Sequence, residues 1–367
     1  MVMGFMKRAA SRVFVVGFVG LAIGLAGACD GTPSNGDLSN PTSSSSGTSG
    51  SSGTTDSGTP MTDSGSTSDG SVTAPPPVPS GCITDVTPGV HDFTCEGFAT
   101  KVSIPDTCLQ PGCGLITEIH GDTGTGALMD AHTNLIALGK AKGFVVVAPS
   151  GRPWPGGPGN TWAPADDEKV VKIIQKVAEV FRTDPKKNHL TGFSRGGFVV
   201  WRLLCKNADL WASVAPATAG SGPGGTCNGV AEVSCPFDAS QPNGMPKVEV
   251  PIAFLIGRTD TPVPLGCTAR IRDQAIAAWG LSTKATVDGN AQYTHQRWSN
   301  AKGTVLETYE HSYETEPTGP WGSSKGHCFP GSTMDPFAPQ YAVPCKLPNA
   351  FTWGVEVLKF FEAHPKK

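Results

Sequence analysis

The sequence predicts an α/β protein, a mostly parallel sheet with helices on both faces. Strand and helix candidates alternate along the chain, which is the signature of that class. Several strand candidates are short, β-branched apolar runs suited to burial in a sheet covered on both sides. The segments able to carry chemistry follow strand ends, where open parallel sheets present their sites.

The first inner strand is expected at 115–119 (LITEI) and a helix at 128–142. Residues 143–149 (GFVVVAP) read as a buried strand ended by proline. Asp166, Asp167 and Glu168 then open a helix over 169–181, acidic where the helix dipole favours negative charge. Val170, Ile173, Ile174, Val177 and Phe181 form its apolar face. A short strand at 188–192 leads into an apolar stretch of helical spacing at 196–205. Another buried strand lies at 251–256 (PIAFLI), with later strands at 292–298 and 305–310 and a last helix over 351–363.

The chain has 367 residues, 38% of them hydrophobic, and a formal charge of −3. That balance carries no strong signal for nucleic acid or a membrane surface, and no nucleic-acid partner is expected. Residues 1–28 read as a signal peptide: Lys7, Arg8 and Arg12 precede an apolar segment too short to span a bilayer. It ends Leu25-Ala26-Gly27-Ala28-Cys29, which resembles the lipobox of bacterial lipoproteins with its leucine one place early. Cys29 is therefore the expected lipidation site and membrane anchor; cleavage after Ala28 without lipidation is the alternative and would leave the protein secreted. Residues 29–80 are rich in Ser, Thr, Gly and Pro and cannot bury enough apolar surface to offset their ordering entropy. They read as a flexible linker. Residues 81–367 suit one catalytic domain.

Three segments carry the chemistry: Gly192-Phe193-Ser194-Arg195-Gly196, Gly257-Arg258-Thr259-Asp260 and Gly326-His327-Cys328-Phe329-Pro330-Gly331. They offer a nucleophile, an acid and a base in the order Ser194, Asp260, His327, the order of the α/β-hydrolase fold. A Gly-x-Ser-x-Gly match alone is weak in a chain with 46 glycines, and residues 322–326 match too. Only Ser194 has a strand before it and a helix after it, so Ser324 reads as loop. A serine hydroxyl needs a base to take its proton, and a near-neutral imidazole can return that proton to the leaving group. Asp260 would hold the imidazole's tautomer. The oxyanion needs preorganised donors; the candidates are the backbone N–H groups of Arg195 and, on the His120-Gly121-Asp122 loop, Asp122. Trp154 and Trp162, in a Pro/Gly-rich loop, are candidates for stacking on substrate. His120 reads as structural. His91, His132, His189, His295, His311 and His364 lack a triad context, and Asp273 falls within an expected helix.

Ten cysteines besides Cys29 read as up to five disulfides in an exported chain. Cys108–Cys113, Cys227–Cys235 and Cys328–Cys345 are the expected local pairs. No cysteine or histidine spacing points to zinc, and no metal site is expected.

Taken together, the Thr191–Gly197 elbow, the Thr183-Asp184-Pro185 lead-in, the strand at 211–216, the acid loop at 257–264 and the base loop at 326–331 resemble extracellular polyhydroxybutyrate-depolymerase-like and feruloyl-esterase-like proteins. Phe329 stands where that family has Trp, and Arg195 where it has a smaller or neutral residue. The resemblance implies ester hydrolysis on polymer-linked or aromatic esters (polyhydroxyalkanoates, or feruloyl and acetyl esters of polysaccharides), no metal or organic cofactor, and a substrate rim that includes Phe329. The alternatives are a secreted serine peptidase of the same fold and a catalytically degenerate binding lipoprotein.

Overall fold

The computed structural model describes residues 74–221, 226–227, 235–316, 325–335 and 343–367. The expected signal peptide, Cys29, nearly all of the linker, and Ser324 lie outside the described residues. No described helix is long and apolar enough to cross a membrane.

The chain forms β1 (Gly89–Cys95), β2 (Phe98–Ile104), β3 (Gly114–Ile119), α1 (Gly126–Thr133), α2 (Leu135–Ala141), β4 (Phe144–Pro149) and a small hairpin of β5 (Arg152–Pro153) and β6 (Asn160–Thr161). It continues through α3 (Asp167–Phe181), β7 (Asn188–Phe193), α4 (Arg195–Asn207), β8 (Ser213–Ala217), β9 (Ile252–Gly257) and α5 (Leu265–Ala278). The last elements are β10 (Thr283–Gly289), β11 (Tyr293–Ser299), β12 (Val305–His311) and α6 (Trp353–Ala363). Ten strands make one sheet in the order β1-β2-β4-β3-β7-β8-β9-β12-β11-β10. The run from β4 to β12 is parallel, with antiparallel strands at both edges.

The central strands are buried along their whole length because helices cover both faces. One face packs α3, α4 and α5 through Val170, Ile174, Val177, Phe198, Leu203 and Ile271. The other packs α1, α2 and α6 through Met129, Leu135, Trp353, Val357 and Phe361. A buried ion pair joins α3 to α4: Arg202 Nη2 lies 2.8 Å from Asp167, which Lys206 also reaches at 2.7 Å. The chain leaves β3 toward β4 on one side, and β7 lies on its other side. That switch point opens a crevice beyond the carboxyl ends of β3 and β7.

Two expectations change. The helix expected over 128–142 is two helices, because Asn134 adopts a left-handed conformation (φ 57°). Side chains stabilise the break: Asp130 accepts from the Ile136 N–H at 2.7 Å, and the Thr133 hydroxyl donates to the buried Glu118 at 2.7 Å. Among the cysteines, Cys227 pairs with Cys267 and Cys235 with Cys205, in place of the expected Cys227–Cys235. Cys205 belongs to α4 and Cys267 to α5, so each of the two cysteines is tied to a helix. Cys108–Cys113 and Cys328–Cys345 form, as does Cys82–Cys95.

Candidate active site

Ser194 stands between β7 and α4 with φ 53° and ψ −117°, a backbone conformation L-residues rarely adopt. Such strain costs about 1–3 kcal/mol and persists only where its surroundings enforce it. Here the enforcement is close backbone packing. A Cβ on Gly192 would lie 2.5 Å from the Gly196 carbonyl oxygen, and one on Gly196 would lie 2.0 Å from that of Ile119. Only glycine lets strand and helix pass so closely. The Ser194 N–H donates to Ala217 O at 2.9 Å, which ties the turn to β8.

Asp260 and His327 come together from loops that follow β9 and β12. His327 Nδ1 lies 2.8 Å from Asp260 Oδ2; the ionised carboxylate can only accept, so Nδ1 carries the proton and Nε2 is left as the basic nitrogen. Asp260 Oδ1 accepts from the Val263 N–H at 2.7 Å. Both residues are buried. Two glycines allow the loops to meet: a Cβ on Gly257 would lie 2.1 Å from Gly326 O, and one on Gly326 (φ 77°) would lie 2.5 Å from Asp260 N. The Cys328–Cys345 disulfide, directly after the histidine, closes the base loop. The His327 ring rests against Phe193, 4.8 Å between centroids.

Ser194 and His327 line one cavity of about 270 Å³ with the loop from His120 to Gly124, Trp154 and Phe329. Its wall is largely apolar, adding Leu128, Met129, Phe193, Pro262 and Val343. Phe329 stacks on Phe193 (4.1 Å) and on His132 (4.4 Å). His132 was not among the expected site residues. Burial holds it neutral, its pKa lowered to about 3; Nε2 accepts from the Val343 N–H and Nδ1 faces Ser332 Oγ. It serves as a flat wall for Phe329. No local pattern in the sequence marks that role.

The loop after β3 carries the other expected donor. Gly121 lies against the nucleophile: a Cβ there would be 3.2 Å from Ser194 Cβ. Four carbonyls of the loop are taken. His120 O accepts from Trp162 Nε1 (3.0 Å), Gly121 O from the Gly124 N–H (3.1 Å), Asp122 O from the Thr123 hydroxyl (2.5 Å) and Gly124 O from Asn160 Nδ2 (3.1 Å). Among the described residues the Asp122 N–H donates to no protein acceptor, and Asp122 lines the cavity. His120 is neutral with its pKa lowered to about 4 by burial: Nε2 accepts from the Gly151 N–H at 2.9 Å, so Nδ1 donates to Gly121 O at 2.6 Å.

Trp162 corrects its expectation. It is 2% exposed, stands edge-on to Phe98 and holds His120 O, so it supports the loop from behind and does not line the cavity. Trp154 does line it, folded over Gly156 and Gly157. His311, Cys328 and Cys345 bring three atoms of metal-ligand type within 4.8 Å of one another, with the two sulfurs bonded to each other.

No protein-family model matches the chain. A stretch of 119 residues is 31% identical to a bifunctional acetylxylan esterase/xylanase of Neocallimastix patriciarum. That match covers 31% of this chain and only 16% of the relative. An acetyl xylan esterase from Aspergillus awamori aligns over 60% of this chain and 92% of its own, at 14% identity and TM-score 0.47. A poly(3-hydroxybutyrate) depolymerase from Bordetella parapertussis aligns over 53% of this chain and 79% of its own, at 15% identity and TM-score 0.37. The parallel sheet with its β3/β7 switch point, the Ser194 turn between strand and helix, and the Ser-Asp-His order along the chain give this protein the α/β-hydrolase fold.

Proposed function

We propose that the protein is a serine esterase that cleaves carboxylic esters through an acyl-enzyme intermediate. One observation carries the reading: Ser194, held in a strained elbow, faces the same cavity as a buried His327–Asp260 pair whose basic nitrogen is left for a proton. His327 Nε2 takes the Ser194 proton as Oγ attacks the ester carbonyl, and returns it to the departing alkoxide. Asp260 keeps the imidazole in that tautomer and stabilises the imidazolium. The Arg195 and Asp122 N–H groups stabilise the oxyanion, at a few kcal/mol for each donor. Water, activated by the same His327, then hydrolyses the acyl-enzyme. Trp154 and Phe329 shape the substrate wall. The stretch similar to the acetylxylan esterase/xylanase supports an ester carried on a polymer. Five disulfides among the described residues support export to an oxidising compartment, with Cys29 as the lipid anchor.

The test is hydrolysis of p-nitrophenyl acetate and butyrate, methyl ferulate, acetylated xylan and a hydroxybutyrate oligomer by the oxidised protein, beside Ser194→Ala. Turnover of at least one ester that vanishes in the variant is the expected result. Turnover confined to peptide substrates would make the protein a peptidase, and none on either class would make it a binding protein.

A further inference from the structure

The residues proposed to supply the two oxyanion donors are also joined through their side chains. Arg195 Nε lies 3.1 Å from each carboxylate oxygen of Asp122, and the Thr161 hydroxyl donates to the same carboxylate. The contact links three separate pieces of chain: the loop after β3, the first residue of α4 and the β5–β6 hairpin. We propose that Asp122 and Arg195 form a positioning strap that sets the separation of the two backbone donors and neutralises a carboxylate beside the developing oxyanion. This rests on the serine-esterase reading.

Among the described residues the Asp122 N–H has no protein acceptor to hold it in place, and its loop includes Thr123 at φ 66°, away from regular structure. Backbone contacts to Asn160 hold the far end of the loop: the Thr123 N–H donates to Asn160 O at 2.7 Å. On the Ser194 side the tether is the side-chain contact to Arg195. Charge points the same way. Asp122 and Ser194 line the same cavity, so the Asp122 carboxylate charge acts on a tetrahedral intermediate formed there. An unpaired carboxylate there would oppose the transition state, and a guanidinium against both its oxygens cancels that cost. The side chains remain partly exposed, 17% for Arg195 and 35% for Asp122, so the pair adds little to global stability.

Position and charge together give an order of effects that a structural role alone would not produce. Arg195→Met loosens the strap and leaves the carboxylate unpaired; Asp122→Asn loosens it without leaving a charge. The kcat of Arg195→Met should fall about 30- to 100-fold, short of the loss of a whole oxyanion donor. That of Asp122→Asn should fall about tenfold or less, with KM and thermal midpoint close to wild type in both. The double variant should recover several-fold over Arg195→Met. Affinity for a trifluoromethyl ketone, whose hemiketal needs the oxyanion hole, should track kcat across the series. The strap is overturned if both single variants keep kcat within about twofold of wild type, or if the double variant is no faster than Arg195→Met. If the wild type shows no Ser194-dependent ester turnover, the esterase reading falls first and the strap with it.

Discussion

Two glycines in matched positions give the sharpest test of why the elbow is built as it is. Gly196 and Gly266 are each the second residue of their helix, α4 and α5. Helix propensity alone predicts that alanine stabilises both, by up to about 1 kcal/mol. Packing separates them. Nothing lies within 4 Å of a Cβ on Gly266, whereas a Cβ on Gly196 would sit 2.0 Å from Ile119 O and 2.7 Å from His120 O. Real Cβ contacts stop near 3.0 Å, so α4 must retreat by at least about 1 Å from the end of β3. Overpacking of that kind costs about 1–3 kcal/mol, which exceeds the propensity gain. The same shift carries Ser194 and the Arg195 N–H away from Asp122, and a 1 Å misplacement of reacting groups costs about 10²-fold in rate. Urea denaturation and ester turnover on both variants decide the matter. Gly266→Ala should be as stable as wild type or more so, and fully active; Gly196→Ala should lose about 1–2 kcal/mol net and about 10²-fold in kcat. A Gly196→Ala protein as stable and active as its Gly266 counterpart would refute the account of the elbow.

Asp260→Asn should lower kcat by about 10⁴-fold by releasing the His327 tautomer, read in single-turnover ester hydrolysis. Cys345→Ser opens a disulfide spanning 17 residues and should cost about 3 kcal/mol in urea denaturation, with a fall in kcat because His327 precedes its partner Cys328. Burial lowers the pKa of His189 to about 3, so between about pH 6.5 and 3 the unfolded chain binds a proton that the folded chain refuses. Stability should therefore fall as pH falls through that window. His189→Asn should flatten the slope of unfolding free energy against pH by up to about 1.4 kcal/mol per unit, measured by denaturation at pH 4.5, 5.5 and 7. Trp162→Phe, which removes the donor to His120 O, should reduce kcat on every ester tried, whereas Trp154→Ala should change KM from one ester to another.

The turns that carry Ser194, Asp260 and His327 are legible because each holds a glycine within a few residues, and a glycine is visible in the sequence whichever distant backbone it packs against. The buried strands were legible for a related reason, since a sheet covered on both faces needs unbroken apolar runs. What was not legible depends on partners distant in sequence. Trp162 looks the same in sequence whether it faces substrate or, as found, holds a carbonyl 42 residues away. The β10 strand is exposed at every residue, so it shows no alternation to read. The break at Asn134 follows from Asp130 and from a glutamate on β3, and no periodicity within the helix reveals it. Cys227 pairs not with the nearby Cys235 but with Cys267 on α5, and Cys235 with Cys205 on α4, partners that no local spacing marks.

The supports of the three parts of the site differ in kind, and they should fail separately. Backbone packing at Gly192 and Gly196 holds Ser194, a contact that neither reductant nor mild acid can reach. The base loop relies on the Cys328–Cys345 disulfide in addition to its glycine contacts, so it is the part of the site with a support that a reductant can remove. The loop after β3, proposed to carry an oxyanion donor, depends on a neutral His120, which accepts from Gly151 through Nε2. Protonation of that nitrogen turns an acceptor into a donor facing another donor. Because burial holds its pKa near 4, the loop keeps its arrangement through the range in which an unperturbed histidine would already have charged. Acid should therefore disarm that loop only near pH 4, while a thiol reductant should disarm the base at neutral pH and leave the Ser194 elbow intact.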